Sequence, residues 1–280
     1  MTDIEAATRW RDRLLRWTVP PPEAEPVSYA LSDGWHAHAD RFRALNDRPE
    51  RDNEPFLQFL APWLSHGVSV LDVGAGGGRF ALPLAVRGAR VMAVEPSPAM
   101  AAVLREAAEA RGLTVELVAE RWPGAATSSA QVVICANVTY DVADLGPFVA
   151  ALDRAAERLA ALYLTLTHPV GQIADLWQAF RGWQPPQGPT YLDAAAVVFE
   201  QGIACNVTLV PTHATLAFAD WDALVAFYRK RLGMEPEPAR DRRLRAALTP
   251  DIEEQAGELV VRPREAWAAV IWWEKEGRNR

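Results

Sequence analysis

From Val68 onward, short apolar runs alternate with segments of helix length: VSVLDV, RVMAVE, TVELV, QVVICAN and LYLTLT. Unbroken apolar runs suit strands buried on both faces, and their alternation with helices predicts successive βαβ units in a parallel sheet covered on both sides. One connecting helix is delimited by its own residues. In SPAMAAVLREAAEARG, Ser97 is a natural N-cap, Pro98 suits the first helical position and Gly112 marks the stop. LGPFVAALDRAAERLA reads as the next.

Helices also precede the sheet. Ala7, Trp10, Leu14 and Trp17 recur at helical spacing up to the proline-rich VPPPEAEP. A second patch covers roughly Trp35 to Leu45, and a third opens at Asn53 and Pro55 with Phe56, Leu60, Trp63 and Leu64 on one face. After Thr167 the regularity is lost. A Trp-, Pro- and Gly-rich stretch leads to the helical piece AAAVVFEQG, the alternating NVTLVPTHATLAF, the helix WDALVAFYRKRL and the strand-like REAWAAVIWWEKE.

Composition removes several function classes. A formal net charge of -7 repels phosphate backbones, and no cluster of Lys and Arg interleaved with aromatics offsets it, so nucleic acid is not an expected partner. No apolar run approaches the ~18 residues of a membrane span. The start, MTDIEAATRWRDRLLRW, is charged throughout and lacks the order of a signal peptide, so a cytoplasmic protein is expected. Cys135 and Cys205 border apolar runs and read as small buried hydrophobes; with no zinc spacing, no metal is expected.

The first strand runs into glycines: VLDVGAGGGRF, residues 70 to 80. Such a loop lets a ligand touch bare backbone, and two ligand classes use it. The dinucleotide pattern wants glycine at the first, third and sixth positions, which here are Gly74, Gly76 and Arg79, so its helix-packing glycine is missing. Asp72 would repel a pyrophosphate and favour an ammonium or sulfonium. The second strand ends at Glu95, 21 residues beyond Gly74, where a carboxylate can accept both ribose hydroxyls. An adenosine with no phosphate and a cationic far end describes S-adenosyl-L-methionine.

VLDVGAGGGRFALPLA, then VMAVEPSPAM, then VVICANVTYDVADLGPFVAAL resemble the class I S-adenosylmethionine-dependent methyltransferases, particularly the small-molecule branch, best over residues 56 to 168. The resemblance implies an α/β fold: a doubly wound, mostly parallel, seven-stranded Rossmann-like sheet with one antiparallel strand, plus N-terminal helices and a helical lid. The corresponding division is an N-terminal helical cap at 1–52 and a methyltransferase domain at 53–280, with lid insertions at about 168–205 and 219–258. It also implies that Asp72, Gly74 and Gly76 line the methionine and sulfonium portion and that Glu95 holds the ribose. Pro96, Ser97 and Met100 would pack near the adenine. After the third strand the family's common Gly-Asp pair is absent; Glu120 takes the place of the adenine contact, with Arg121 or Trp122 at its flank. Asn137, ending strand four, would present its backbone to the methionine part. Each has a plainer counterpart: glycines for a tight turn, Glu95 as a solvated loop residue, Met100 as helix-face core.

Methyl transfer from a sulfonium asks mainly for alignment and exclusion of water. Where the acceptor must lose a proton, Tyr140 and His168, just past strands four and five, are the candidate catalytic residues; a strand-end packing role is the alternative for His168. After strand four the chain reads Asn-Val-Thr-Tyr rather than the Asn/Asp-Pro-Pro-aromatic element of nucleic-acid and protein amide methylating relatives, and neither cysteine follows a proline. A small-molecule acceptor is therefore expected. The 35–64 helices and the 168–202 stretch, carrying Trp35, Trp63, Trp177 and Trp183, are expected to roof the site. An NAD-dependent oxidoreductase and a non-catalytic binding protein of the same fold are the competing readings.

Overall fold

The computed structural model describes residues 5–17, 42, 43, 46, 54–124, 128–169, 171–212 and 216–275. Trp35, Asn53 and most of the helical patch expected near 35–45 lie outside them.

Seven strands form the main sheet: β1 (Ser69–Val73), β2 (Arg90–Val94), β3 (Val115–Val118), β4 (Ala130–Ala136), β5 (Ala156–Thr165), β6 (Asn206–Pro211) and β10 (Trp267–Glu274). Their order is β3-β2-β1-β4-β5-β10-β6. β1 to β5 pair in parallel, while β10 runs antiparallel to both its neighbours. The apolar runs alternate sides as a pleated strand requires. Val132 and Ile134 of β4 join one core with Val70, Ala93 and Ala161; Val133 and Cys135 join the opposite core with Leu71, Val73 and Leu162.

Helices cover each face. On the first lie α2 (Pro55–Leu60), α3 (Ala81–Val86) and α4 (Pro98–Ala110), contributing Phe56, Leu60, Leu82, Leu84 and Leu104. On the other lie α1 (Ala6–Trp17), α5 (Leu145–Ala155) and α7 (Tyr191–Glu200), contributing Trp10, Phe148, Leu152 and Val197. The Glu200 carboxylate accepts from the Ala6 and Ala7 N–H groups at 2.7 and 2.9 Å, satisfying orphan donors at the start of α1. The Ser97 hydroxyl caps α4 through the Met100 N–H.

A smaller lobe has its own core. α6 (Ala174–Arg181), α8 (Trp221–Arg231) and α9 (Pro238–Leu248) surround a three-stranded antiparallel sheet, order β7-β9-β8, of β7 (Leu216–Phe218), β8 (Ile252–Gln255) and β9 (Glu258–Val261). Leu176, Trp177, Leu224, Tyr228, Leu244 and Leu259 pack together there. The chain enters the lobe after β5 and after β6 and leaves it before α7 and before β10. The crossings at β5, β6 and β10 lie at one edge of the main sheet, the carboxyl edge of its parallel strands. Among the described residues no helix is long and apolar enough to cross a membrane.

Candidate functional site

At that carboxyl edge a cavity of about 440 Å³ opens over the ends of β1, β2, β3 and β4. Its size falls in the ~300–1,000 Å³ range of small-molecule sites. The glycine loop forms the floor, because Gly74 and Gly76 adopt φ of +74° and +54°, a conformation that side chains with a Cβ rarely take. Across from it Asn137 sits at φ +58°, also left-handed, with its N–H donating to the Tyr163 carbonyl at 2.8 Å. Asn is among the few non-glycine residues that tolerate this region, and such strain gathers where backbone must meet a ligand.

Two carboxylates define the electrostatics. Asp72, at the end of β1, is 1% exposed, and its Oδ2 has no hydrogen-bond partner among the described residues. Burial, and then the charge of Glu95, push its carboxyl up to about 7, against the help of the Ala81 N–H. A buried anion with one oxygen left unpartnered is costly; a cation arriving in the cavity would relieve it. Glu95 is 6% exposed rather than solvated, and accepts from the Gly76 and Ser97 N–H groups, each at 2.8 Å. Those bonds fix its carboxylate at the cavity wall and tie the end of β2 to the glycine loop.

The residue that breaks the dinucleotide pattern is also built in. Arg79 donates through Nε and Nη2 to both oxygens of Glu54, at 2.7 and 2.6 Å, and its guanidinium lies over the Phe80 ring, 5.0 Å from the centroid. The close helix packing that the pattern assigns to this position falls to Gly78, where a Cβ would come within 2.5 Å of Leu104 Cδ1.

Of the sequence-expected residues, Asp72, Gly74, Gly76, Glu95, Pro96, Ser97, Met100, Arg121, Trp122 and Asn137 all line this one cavity. Glu120 does not; it is exposed on the turn after β3. Sequence reasoning missed Phe42, Asp141 and Phe148, which line it too. Asp141 had a local signal, standing four residues after Asn137 in a short 3₁₀ turn. Phe42 had none: it comes from the N-terminal segment, held over the loop where the neighbouring Asn46 amide donates to the Gly77 carbonyl at 2.6 Å.

Tyr140 and His168 do not line the cavity. Their rings pack edge to face, 5.3 Å apart. The Tyr140 hydroxyl accepts from the Thr165 N–H at 2.6 Å and shares a hydrogen bond with Thr165 Oγ1, while burial pushes its ionisation well above the ordinary phenol range. Burial, reinforced by the Arg231 charge, pulls His168 down to about 4. Near neutral pH it is an uncharged, weakly basic imidazole, so the geometry gives the expected general base no support and instead makes the pair a brace between β5 and the turn after β4.

The expected tryptophan roof also needs correcting. Trp63 packs on Phe59 and Trp272 and donates to Glu274, and Trp177 packs on Trp183 within the small lobe; none of the three lines the cavity. Among the described tryptophans, Trp122 does. Nor does any described residue of α1, of 168–205 or of 219–258 reach the lining. α1 packs on α5 and α7, though its Trp10 indole donates to the carbonyl of Val142, a lining residue, at 2.8 Å.

Residues 70–162 match the family model of a methyltransferase domain. Two ubiquinone biosynthesis O-methyltransferases are similar over part of this region: that of Methylocella silvestris at 45% identity over 56 residues, 20% of this chain and 22% of that protein, and that of a Methylobacterium species at 34% over 92 residues, 32% and 37%. The chain thus matches well under half the length of these curated relatives. Among solved structures, the YcgJ protein of Bacillus subtilis superposes with a TM-score of 0.51 over 79% of this chain and 98% of that one, at 15% identity, a likeness of fold alone. Over residues 70–162 the chain is thus similar to a methyltransferase domain, and the sheet order and the glycine loop agree with that match.

Proposed function

We propose that the protein transfers a methyl group from S-adenosylmethionine to a small-molecule acceptor by in-line displacement. The observation that carries this reading is the unpartnered, buried Asp72 carboxylate oxygen in a glycine-floored cavity whose neighbouring wall holds Glu95. A ligand with a cationic amino-acid end and a free ribose satisfies both groups, whereas a pyrophosphate would meet two carboxylates.

The cofactor supplies an electrophilic methyl on its sulfonium, so no protein nucleophile is needed. Asp72 takes the ammonium, Glu95 the ribose hydroxyls, and the glycine loop and Asn137 present backbone to the chain between them. Pro96, Ser97, Met100, Arg121 and Trp122 flank the adenine. Glu120 is left at the rim, where its reach to the adenine amino group is a subsidiary proposal. The apolar walls from Phe42, Phe80, Val138 and Phe148 keep water from the reacting centre.

The acceptor approaches from the small-lobe side of the sheet edge, where the turn after β4 faces the crossings from β5 and into β10. The lid role of 168–205 and 219–258 and the cap role of 1–52 stand as proposals for the acceptor-bound state. The relatives' names make an oxygen acceptor the first class to try; since their likeness lies mostly in the cofactor half, it supports the donor more than the acceptor. Transfer of label from methyl-labelled S-adenosylmethionine to a panel of hydroxyl-bearing small molecules tests the activity. Turnover of a nucleic acid but of no small molecule would contradict the acceptor class.

A further inference from the structure

Val142 lines the cavity, and both of its backbone groups are held. Its N–H donates to the Thr139 carbonyl at 3.1 Å, closing the short turn after β4. Its carbonyl accepts from the Trp10 indole at 2.8 Å, a bond that reaches it out of α1. Trp10 is fully buried and does not line the cavity. It shares one apolar core with Phe148, and Trp122, Val138 and Val142 pack against that core; these four residues all line the cavity. The Trp122 indole donates to the Phe148 carbonyl at 3.4 Å, which joins the wall into one unit with Trp10 behind it.

The helix that carries Trp10 is itself fixed. Glu200 takes the N–H groups that open α1, and Arg13 donates to the buried Asp193 carboxylate at 2.6 Å, so two residues of α7 set its register. Arg11 pairs with Asp144, just beyond Val142, but both side chains are exposed and such a pair contributes little. The buried indole bond is therefore the main link from α1 to the wall. A buried indole N–H needs an acceptor wherever it lies. Here the acceptor belongs to the cavity wall, so the geometry of the bond depends on where that wall stands.

We propose that Trp10 is a positioning residue for the cofactor: through the Val142 carbonyl it fixes the wall of Val142, Phe148 and Trp122 at the spacing that the adenosine half of the ligand requires. The inference rests on the reading of the cavity as an S-adenosylmethionine site. The N-terminal helix then takes part in binding without touching the ligand, acting from the outer face of the sheet rather than over its edge.

The test uses the full chain and two probes, S-adenosylhomocysteine and adenosine, titrated by calorimetry. Trp10→Phe keeps the aromatic packing and removes the donor. It should weaken both probes by the same factor, about 3- to 10-fold, since the wall meets the half that they share. Glu200→Gln is the control, because it loosens the opening of α1 and leaves the Trp10 bond in place. It should lower the melting temperature with both affinities held within about twofold. The Trp10 indole N–H resonance, assigned by NMR in the wild-type protein, needs no variant and carries the test if Trp10→Phe does not fold. It should shift when S-adenosylhomocysteine is added, while that of Trp273, which donates to Asp153 at 2.9 Å and does not line the cavity, should not. Affinities that fall equally in both variants would make α1 a support of the whole fold and overturn the proposal, as would no loss in Trp10→Phe or an unmoved Trp10 resonance. Failure of the wild-type protein to bind either probe would instead overturn the reading of the cavity on which the proposal rests.

Discussion

The Val138 side chain occupies the space that a Cβ on Gly74 would need: an added methyl would come within 2.3 Å of Val138 Cγ2. The loop after β1 and the loop after β4 are thus pressed together, and Gly74 also holds a φ of +74°. Gly74→Ala should destabilise the protein by about 1–3 kcal/mol through backbone strain alone, and should weaken S-adenosylhomocysteine binding about tenfold or more as the loops separate. Adding Val138→Ala should recover the steric part and not the backbone part. Thermal melts with calorimetry on both variants check this; unchanged binding in Gly74→Ala would mean that the two loops do not enclose the ligand.

Asp72 should make cofactor binding pH-dependent. A cation is held by the carboxylate and not by the acid, so with the folded pKa near 7, affinity for S-adenosylmethionine should rise from pH 5 to 7 and then level. Proton release on binding, read by calorimetry in buffers of different ionisation enthalpy, reports the same event. Stability of the ligand-free protein moves the other way. A carboxyl raised from 3.8 to about 7 contributes stability that is full below pH 3.8 and is lost as the pH rises through about 7. Asp72→Asn should abolish both slopes, and a variant that kept the binding slope would remove Asp72 from the account.

His168 has the opposite sign. Its folded pKa of about 4 lies below the ordinary 6.5, so the stability it contributes is present above 6.5 and is lost as the pH falls toward 4. Its imidazole should remain neutral from pH 8 to 5 in a nitrogen-resolved NMR titration. Tyr140→Phe leaves the Thr165 N–H without its acceptor and should cost about 1–3 kcal/mol by urea unfolding, with S-adenosylhomocysteine affinity held within about twofold. An imidazole titrating near 6.5 would contradict the buried, bracing role.

The small lobe hangs on Glu265. Its carboxylate accepts from the Leu166 and Thr167 N–H groups at 2.9 and 3.1 Å, from Thr167 Oγ1 and from Gln172 Nε2. These bonds tie the crossing after β5 to the crossing before β10, and Arg264 adds ion pairs to Asp175 and Asp251. In Glu265→Ala the Leu166 and Thr167 amides should exchange with solvent about tenfold faster or more, while β1 and β4 amides keep their protection. Equal acceleration throughout the sheet would mean that lobe and sheet open as one unit.

The main sheet was legible because β1 and β4 are buried on both faces, and such strands announce themselves as apolar runs. β5 was read too short. Its first residues, AERLA, favour helix locally, yet they are strand because β4 and β10 pair with them from both sides. The alternating NVTLVPTHATLAF is not one strand: its two ends, β6 and β7, belong to different sheets. The β8–β9 hairpin escaped notice because its strands are four residues long, and IEEQ carries exposed charge where alternation would be sought. Its signal was Gly257: Ala256 and Gly257 both have positive φ, as a tight hairpin turn requires. Site residues at strand ends were readable since motif and geometry coincide there. Phe42, and the packing of Trp63, Trp177 and Trp183 away from the cavity, depend on contacts between distant segments that no local pattern encodes.

Calorimetric titration with S-adenosylhomocysteine and, separately, with NAD tests the central claim most directly. The glycine floor, the buried Asp72 and the Glu95 wall should give one S-adenosylhomocysteine per chain, weakened by Glu95→Ala, and no heat with NAD. Tight NAD binding with no response to S-adenosylhomocysteine would contradict the account.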